Sequence, residues 1–414
     1  MVLDSRSVVL LGAGASKEAG VPTTFDATAE LVRQVGSHPT PWANALHFVC
    51  AQLMAHDAAT EGANPYSDRL DVERVFAAIE LLAERRTLEV TPFVASWQPG
   101  VDAWDGSPPG PIRFAQDYEQ AIGNAHPGAA MSRVIHEQIQ ASKRGRSLSV
   151  YHELAERMLQ ALRRLVTTTG DVSYLMPLVE AGRAPGGLTI ATLNYDLTVE
   201  QAAEAAGVPL TTGISEWMTH DRWDWPRDEI RLLKLHGSID WAWDKLTSAP
   251  SRLEQSLVDV SDSPADDPRP PALVFGHRAK LRAQGPFLGL LAEFERQLAE
   301  KDRLIVIGYS FRDDHVNEIL RRWINERRRR KVLVVDPAFP QRRSVPPNFR
   351  SELLDALTDR WSESLGPPIE EDRWRSRSDK DRLRVWRAQC STALQRLVPR
   401  KGHKQPSPPT SSTA

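Results

Sequence analysis

With 414 residues, 41% of them hydrophobic, the chain is long enough to bury one large core or two ordinary ones. Charged residues make up 26% and nearly cancel to a formal net charge of −2, which argues against a protein that coats nucleic acid through its overall charge. The only two cysteines, Cys50 and Cys390, exclude a disulfide framework and a four-cysteine zinc ribbon, and they suit a reducing compartment. Because no signal peptide is recognisable and no apolar run approaches the roughly 20 residues that span a bilayer, we expect a cytoplasmic protein.

The first predicted strand is Val8–Leu11, an apolar run that stops at the glycine turn Gly12–Ser16. A short apolar run closed by a turn signal is typical of a buried parallel strand. The pattern then becomes helical, and Asp71 can cap the helix that follows it. Predicted helices lie within 24–56, 72–82 and 151–166, and a proline-rich loop covers 97–113. We therefore predict a helical insertion over residues 24–180.

Strand patterns return near residue 185 and then alternate with helices, which predicts βαβ units and a parallel sheet. The predicted strands are 188–193, 231–235, 272–275, 303–308 and 331–336, and the predicted helices are 287–300 and 314–329. The predicted fold class is α/β: a Rossmann-like parallel sheet with a large helical insertion and an accessory C-terminal helix at 381–398. We assign a single domain to 1–400, with sheet parts at 1–23 and 185–340, the insertion at 24–180, an accessory region at 341–400, and a disordered tail at 401–414.

Candidate ligand-binding residues begin directly after the first strand, at Gly12, Ala13, Gly14 and Ser16. Glycines at this place let the backbone approach a pyrophosphate, and the N-terminus of a following helix favours negative charge. The run holds two glycines of the dinucleotide fingerprint, and Lys17 occupies the place of the third. An ordinary tight turn between strand and helix is the alternative interpretation.

Two further strand ends carry polar side chains. Asn194 and Asp196 follow the strand 188–193, where short polar groups can orient a ribose or an amide, or can simply cap a helix. His236 follows the strand 231–235. A histidine there can act as a general base near neutral pH, or it can be a structural imidazole with satisfied hydrogen bonds.

The last candidates follow the final two predicted strands. Gly308 and Ser310 lie at the end of the strand 303–308, and Asp336 lies at the end of the strand 331–336. A carboxylate in this position can accept hydrogen bonds from ribose hydroxyls, although Asp336 can also be a turn residue before Pro337.

The order of these motifs resembles the sirtuin superfamily, and more closely its prokaryotic sirtuin-like defence branch. That order is Gly-Ala-Gly-x-Ser, Asn-x-Asp, His-Gly, Gly-x-Ser, and then an acidic or amide residue after a strand. Gly20-Val21-Pro22 resembles the family's Gly-Ile-Pro, and the helix that begins at Asp71 resembles that branch. The resemblance covers residues 1–25, 70–85 and 185–340.

The resemblance implies NAD binding by a Rossmann domain, with roles for the residues that match. It implies that the diphosphate is held by Gly12, Ala13, Gly14 and Ser16. It implies that Asn194 and Asp196 bind the nicotinamide ribose and the carboxamide pocket, and that His236 is the general base. The later glycine–serine and ribose contacts map to Gly308, Ser310 and Asp336.

Two departures from the sirtuin pattern bear on the reaction. Where sirtuins continue Gly-Ile-Pro with Asp-Phe-Arg, this chain has Thr23-Thr24-Phe25. Sirtuin deacetylases carry a four-cysteine zinc module between the histidine and the Gly-x-Ser, whereas the interval from His236 to Gly308 contains no cysteine. We therefore expect a metal-free NAD glycohydrolase that releases nicotinamide and ADP-ribose, as a gated effector of antiviral defence that depletes NAD.

Two other functions stay open: a module that senses NAD or ADP-ribose without turnover, and a NAD-dependent deacylase or ADP-ribosyltransferase. The presence of both Asn194 and His236 argues against the first. For partners we expect a homo-oligomer, and the resemblance implies a separate HerA-type ATPase or Argonaute-like chain. We expect neither membrane binding nor direct nucleic-acid binding, because the basic run Arg327–Lys331 fits a helix C-terminus.

Overall fold

A computed structural model of the chain describes residues 3–60, 70–85, 88, 90, 101, 149–167, 170–244, 256–262, 264–275, 285–339, 349–357, 372–375 and 382–398. The tail at 401–414 and the predicted loop at 97–113, apart from Val101, lie outside the described residues. The chain divides into two compact units, the first made of residues 1–20, 169–235 and 289–414 and the second of residues 21–168 and 236–288.

The strands are numbered in chain order: β1 (Ser7–Leu11), β2 (Leu188–Thr192), β3 (Leu210–Thr211), β4 (Ile230–Lys234), β5 (Gly237–Asp244), β6 (Ser256–Asp259), β7 (Pro271–Leu273), β8 (Arg303–Ile307), β9 (Lys331–Val335), β10 (Arg373–Arg375) and β11 (Leu383–Trp386). The α-helices are α1 (Thr24–Val35), α2 (Pro41–Thr60), α3 (Val72–Glu84), α4 (Val150–Val166), α5 (Met176–Ala181), α6 (Thr198–Ala206), α7 (Ile214–His220), α8 (Phe287–Ala299), α9 (Asp314–Glu326), α10 (Phe349–Leu357) and α11 (Cys390–Leu397).

The first unit contains an eight-stranded sheet in the order β10-β11-β9-β8-β1-β2-β4-β3. Every neighbouring pair in it is parallel except β10 with β11. All five residues of β1 are buried, as expected for a strand covered on both faces of a parallel sheet. The predicted α/β class with a mostly parallel, Rossmann-like sheet is therefore confirmed.

The sheet reverses its direction of growth beside β1. From β1 the chain builds outward through β2 to β4, and then returns to place β8 and β9 on the other side of β1. In open α/β sheets, ligands bind outside the carboxyl ends of the strands at such a switch point. The residues that follow β1 and β8 thus occupy the position where this fold binds ligands.

The C-terminal helix predicted at 381–398 is wrong over its first part. Residues Leu383–Trp386 form β11, which pairs in parallel with β9 through register partners such as Val385 and Val334. The helix α11 begins only at Cys390. The apolar positions of this short strand match a helical repeat as well as an alternating one, so pairing with β9 decides the conformation.

The second unit combines the helices α1 to α4 with a separate antiparallel sheet in the order β6-β5-β7. The helix α3 begins as predicted, because the Asp71 carboxylate accepts a hydrogen bond from the backbone N–H of Glu73 at 2.9 Å. The strand predicted at 272–275 exists as β7, but it belongs to this antiparallel sheet and not to the parallel one.

The Rossmann segment predicted at 185–340 includes residues 236–288, which lie in the second unit with residues 21–168. The single-domain assignment of residues 1–400 stays a prediction. Among the described residues, no helix has both the length and the apolar character that crossing a membrane requires.

Candidate functional site

Three glycines bring the loops after β1 and β8 into backbone contact at the switch point. A Cβ atom on Gly12 would lie 2.6 Å from the Gly308 carbonyl oxygen, and one on Gly14 would lie 2.8 Å from the Gly308 Cα. Gly308 itself has φ +64°, and a Cβ atom there would lie 2.4 Å from the Ala15 nitrogen. The glycines are therefore required by the packing of the protein on itself, a cause that the sequence pattern does not reveal.

Hydrogen bonds hold the loop after β1, residues 12–16, in place, and we call it the glycine loop. The Gly12 N–H donates to the Ile307 carbonyl and the Gly14 N–H donates to the Gly308 carbonyl, both at 2.9 Å. Ala13 begins the short 3-10 turn Ala13–Ala15 that completes the loop. The Tyr174 hydroxyl donates to the Ala15 carbonyl at 2.8 Å, and burial raises the pKa of Tyr174, which keeps it a neutral donor.

Asn194 ties the end of β2 to the glycine loop. Its Nδ2 donates to the Gly12 carbonyl at 3.0 Å and to Ser16 Oγ at 2.8 Å, and the residue is 8% exposed. The structure thus brings Asn194 together with Gly12 and Ser16, which are distant in the sequence and belong to the same predicted site.

Asp196 lies two residues after Asn194 and two residues before Thr198, the first residue of the helix α6. Its Oδ1 accepts hydrogen bonds from the Thr198 backbone N–H at 3.1 Å and from Thr198 Oγ1 at 2.7 Å. Thr198 Oγ1 also lies 3.3 Å from Ser16 Oγ. Asp196 therefore lies just before the N-cap residue Leu197 and accepts from the first N–H of α6, so its role is close to the helix-cap alternative. It also joins a polar cluster under the glycine loop.

The sequence interpretation missed Thr198 and Lys234. An Asp followed two residues later by Thr at a helix start is an Asx-turn signal that could have indicated Thr198. Lys234 is a fully buried cation at the end of an apolar strand. Its Nζ donates to the Asp196 carbonyl and to Glu200 Oε1, both at 2.6 Å, and this joins β4 to the start of α6.

Asp336 follows β9, the strand beside β8, and its carboxylate already has protein partners. Oδ1 accepts from the Ala338 N–H at 2.8 Å, and Oδ2 accepts from Arg350 Nη2 at 2.9 Å. A ribose hydroxyl would therefore share this carboxylate with Arg350. Ser310, two residues after Gly308, is exposed to solvent at the same end of the sheet.

His236 is the first residue of the second segment of the second unit, whereas the other predicted site residues lie in the first unit. His236 is 6% exposed, and its backbone carbonyl accepts a hydrogen bond from the Val274 N–H at 2.8 Å. Gly237 turns the chain directly into β5, with φ +87°. His236 thus lies between two strands, β4 and β5, and not only at the end of one.

Metal ligands and thiols are two further sources of chemistry in the described part of the chain. No group of three or more His, Cys, Asp or Glu side chains there is arranged to hold a metal ion. Cys390 is buried and Cys50 is half-buried. Burial raises the pKa of both thiols, that of Cys50 to about 11.

Residues 188–357 match a family model described as a SIR2-like domain. Among solved structures, a Sir2 homologue in complex with NAD is 14% identical with a TM-score of 0.37, over 94% of this chain and 87% of that chain. Sir2Tm bound to a propionylated peptide is 11% identical with a TM-score of 0.36, over 94% of this chain and 91% of that chain. Similarity at this level supports no argument about activity. No curated protein matches the sequence. The match over residues 188–357 makes that segment of the chain similar to a SIR2-like domain.

Proposed function

We propose that this chain is a NAD glycohydrolase, which splits NAD into nicotinamide and ADP-ribose. The observation that carries the proposal is the meeting of the glycine loop, Gly308 and the Asn194 amide at the switch point of a SIR2-like domain. A buried amide at that place can orient a reacting group, because small polar side chains held by the protein lose little freedom on binding.

In this proposal each part of NAD binds to the residues that suit its chemistry at the carboxyl ends of the strands. The diphosphate lies against the glycine loop, formed by Gly12, Ala13, Gly14 and Ser16. Gly308 contacts that loop and the exposed Ser310 follows two residues later. Asp336 accepts from the adenosine ribose while keeping its contact with Arg350. Asn194 and Asp196 take the nicotinamide end.

The reaction breaks the bond from the ribose carbon to the nicotinamide nitrogen, and the electron pair leaves with the neutral pyridine. A water oxygen forms the new bond to the same carbon as positive charge develops on the sugar. Asn194 positions the water, and His236 accepts its proton as the attack proceeds. Each residue therefore has one role, and each role can be removed separately.

The test measures nicotinamide and ADP-ribose by chromatography after incubation with NAD alone. Asn194→Ala and His236→Ala should each lower nicotinamide release by about 10²–10⁴-fold, the usual contribution of a general base or of precise positioning. His220→Ala is the matched control, because His220 is an exposed histidine at the end of α7 that pairs with Glu216 and has no proposed role in the reaction. A folded His236→Ala protein that works at the wild-type rate would show that the base is assigned wrongly.

The same incubation separates the alternatives. Binding of NAD by calorimetry without any turnover would support a sensing module. Turnover only after an acylated peptide or another acceptor is added would support a deacylase or an ADP-ribosyltransferase. The absence of cysteine between His236 and Gly308 favours hydrolysis over deacylation, because the cysteine zinc module of the deacetylases has no counterpart there.

Unregulated hydrolysis of NAD would harm the cell that makes the enzyme, so we propose that the activity is gated and serves antiviral defence. The trigger would act through a separate chain, of the HerA-type ATPase or Argonaute-like class. Cells that express the wild-type protein should lose NAD on phage infection, and cells that express Asn194→Ala should not. A constant NAD pool in infected wild-type cells would contradict the defence role.

A further inference from the structure

A chain of buried hydrogen bonds runs beneath the glycine loop. It passes from Asn194 Nδ2 to Ser16 Oγ at 2.8 Å, on to Thr198 Oγ1 at 3.3 Å, and ends at Asp196 Oδ1 at 2.7 Å. All four residues are at most 8% exposed. The sequence motifs include Asn194, Ser16 and Asp196 but not Thr198, which joins them.

The two ends of this chain fix the direction of every donor in it. The Gly12 carbonyl oxygen can only accept, so the Asn194 atom that faces it at 3.0 Å is the Nδ2 donor. Asp196 Oδ1 accepts from the Thr198 backbone N–H, so the Thr198 hydroxyl gives its only proton to the same oxygen. The Ser16 proton is then left to point at Thr198 Oγ1, and Ser16 Oγ accepts from Asn194.

This direction decides which atom Asn194 presents to a ligand. Both Nδ2 protons are used, one by Gly12 and one by Ser16. Rotating the amide by half a turn would place two acceptor oxygens against each other at the Gly12 carbonyl and lose buried hydrogen bonds, each worth about a factor of five in an equilibrium. Among the described residues no donor is bonded to Asn194 Oδ1, so this oxygen is the polar atom left for a ligand.

We propose that Thr198 is a positioning residue that locks this direction, so that Asn194 acts on the substrate only as a hydrogen-bond acceptor. The partner of Oδ1 is then a donor, the attacking water or a ribose hydroxyl, and not a carbonyl or phosphate oxygen. The inference rests on the proposed NAD hydrolysis. It adds that the Ser16 hydroxyl proton is committed to Thr198 and is not free for the diphosphate.

The test compares Thr198→Val, which keeps the branched shape but loses the hydroxyl, with Thr198→Ser, which keeps the hydroxyl. Thr198→Val should lower kcat for nicotinamide release about five- to tenfold, the effect of one lost hydrogen bond on positioning, with a smaller change in KM. Thr198→Ser should restore most of the rate. If Thr198→Val matches the wild type, or if Thr198→Ser is equally impaired, the proposal is wrong.

A second measurement needs no substrate. In protein labelled with ¹⁵N at asparagine, the Asn194 side-chain NH₂ should show two protected protons in the wild type and in Thr198→Ser, and faster exchange in Thr198→Val. Rapid exchange in the wild type would overturn the lock. A wild-type protein that shows the protected NH₂ but neither binds nor cleaves NAD would instead contradict the proposed function.

Discussion

At the scale of single residues, Gly207 and Gly308 adopt almost the same backbone angle, with φ +61° and +64°, and differ in the space around them. A Cβ atom on Gly207 meets nothing within 4 Å, whereas one on Gly308 would lie 2.4 Å from the Ala15 nitrogen and 2.5 Å from the Gly14 carbonyl carbon. The pair therefore separates the cost of a left-handed backbone from the cost of a steric clash.

We expect Gly207→Ala to lower the free energy of unfolding by about 1–2 kcal/mol, the cost of a side chain in the left-handed region. Gly308→Ala should cost a further 1–3 kcal/mol or so, because the atoms that must move belong to the backbone of the glycine loop. Chemical denaturation of the two variants measures the difference. Equal losses would mean that the loops after β1 and β8 are not in close contact in solution.

The same residues show what a sequence can predict at this scale. The strand-end positions of Gly12, Asn194 and Asp196 follow from local patterns, and the structure places them together. The packing of Gly14 against Gly308 does not follow, because it depends on two strands distant in sequence becoming neighbours in the sheet. The roles of the site residues in catalysis stay predictions.

At the scale of elements, a buried ion pair joins β4 to α6. Lys234 is fully buried, while the Glu200 side chain is 21% exposed. Removing the acid leaves an ammonium ion inside the first unit that keeps, within the described part of the chain, the Asp196 carbonyl as its one remaining hydrogen-bond partner. Removing the lysine instead leaves a carboxylate that can turn toward water.

The two single substitutions should therefore differ. Glu200→Ala should lower the free energy of unfolding by about 3 kcal/mol, and Lys234→Met, which keeps the length of the side chain, by about 1 kcal/mol. Thermal and urea denaturation measure both losses, and the double variant completes a double-mutant cycle that gives the interaction energy of the pair. A larger loss for Lys234→Met than for Glu200→Ala would contradict the assumed cost of the buried cation.

The sequence predicts best the strands whose residues are almost all buried. The strands β1, β8 and β9 are mostly runs of Val, Ile and Leu, and β2 is a buried run of Leu, Ile, Ala and Thr; such runs have few alternatives in an α/β chain. The sequence does not reveal the strand β11, because four residues beside a helix are too few to show an alternating pattern. Its strand conformation is set by pairing with β9.

At the scale of the whole molecule, the chain enters the second unit twice, over residues 21–168 and again over 236–288. The first of these segments, residues 21–168, has a helical pattern, and the sequence predicts its helices in outline. The second was not predicted, because the prediction contains no strand over β5 and assigns 272–275 to the parallel sheet, whereas β5 and β7 pair in antiparallel fashion. Order along the chain could not reveal that these segments share one unit.

We predict that the protein is a homo-oligomer. The helices of the second unit and the C-terminal α11 exceed what a nucleotide-binding sheet needs, so their surfaces are available for contacts between subunits. Light scattering at micromolar concentration should give a mass above the 46.3 kDa of one chain. A stable monomer with full nicotinamide release would refute this prediction.

The two cysteines offer a way to follow each unit by its chemistry. Cys390 belongs to the first unit and Cys50 to the second, and burial keeps both as slowly reacting thiols. Alkylation of the buried Cys390 therefore requires a local opening, and a local opening speeds the alkylation of the half-buried Cys50, so each rate reports on the opening of its surroundings. With one natural probe in each unit, peptide mass spectrometry after timed labelling can tell whether a ligand, a partner chain or heat loosens one unit before the other.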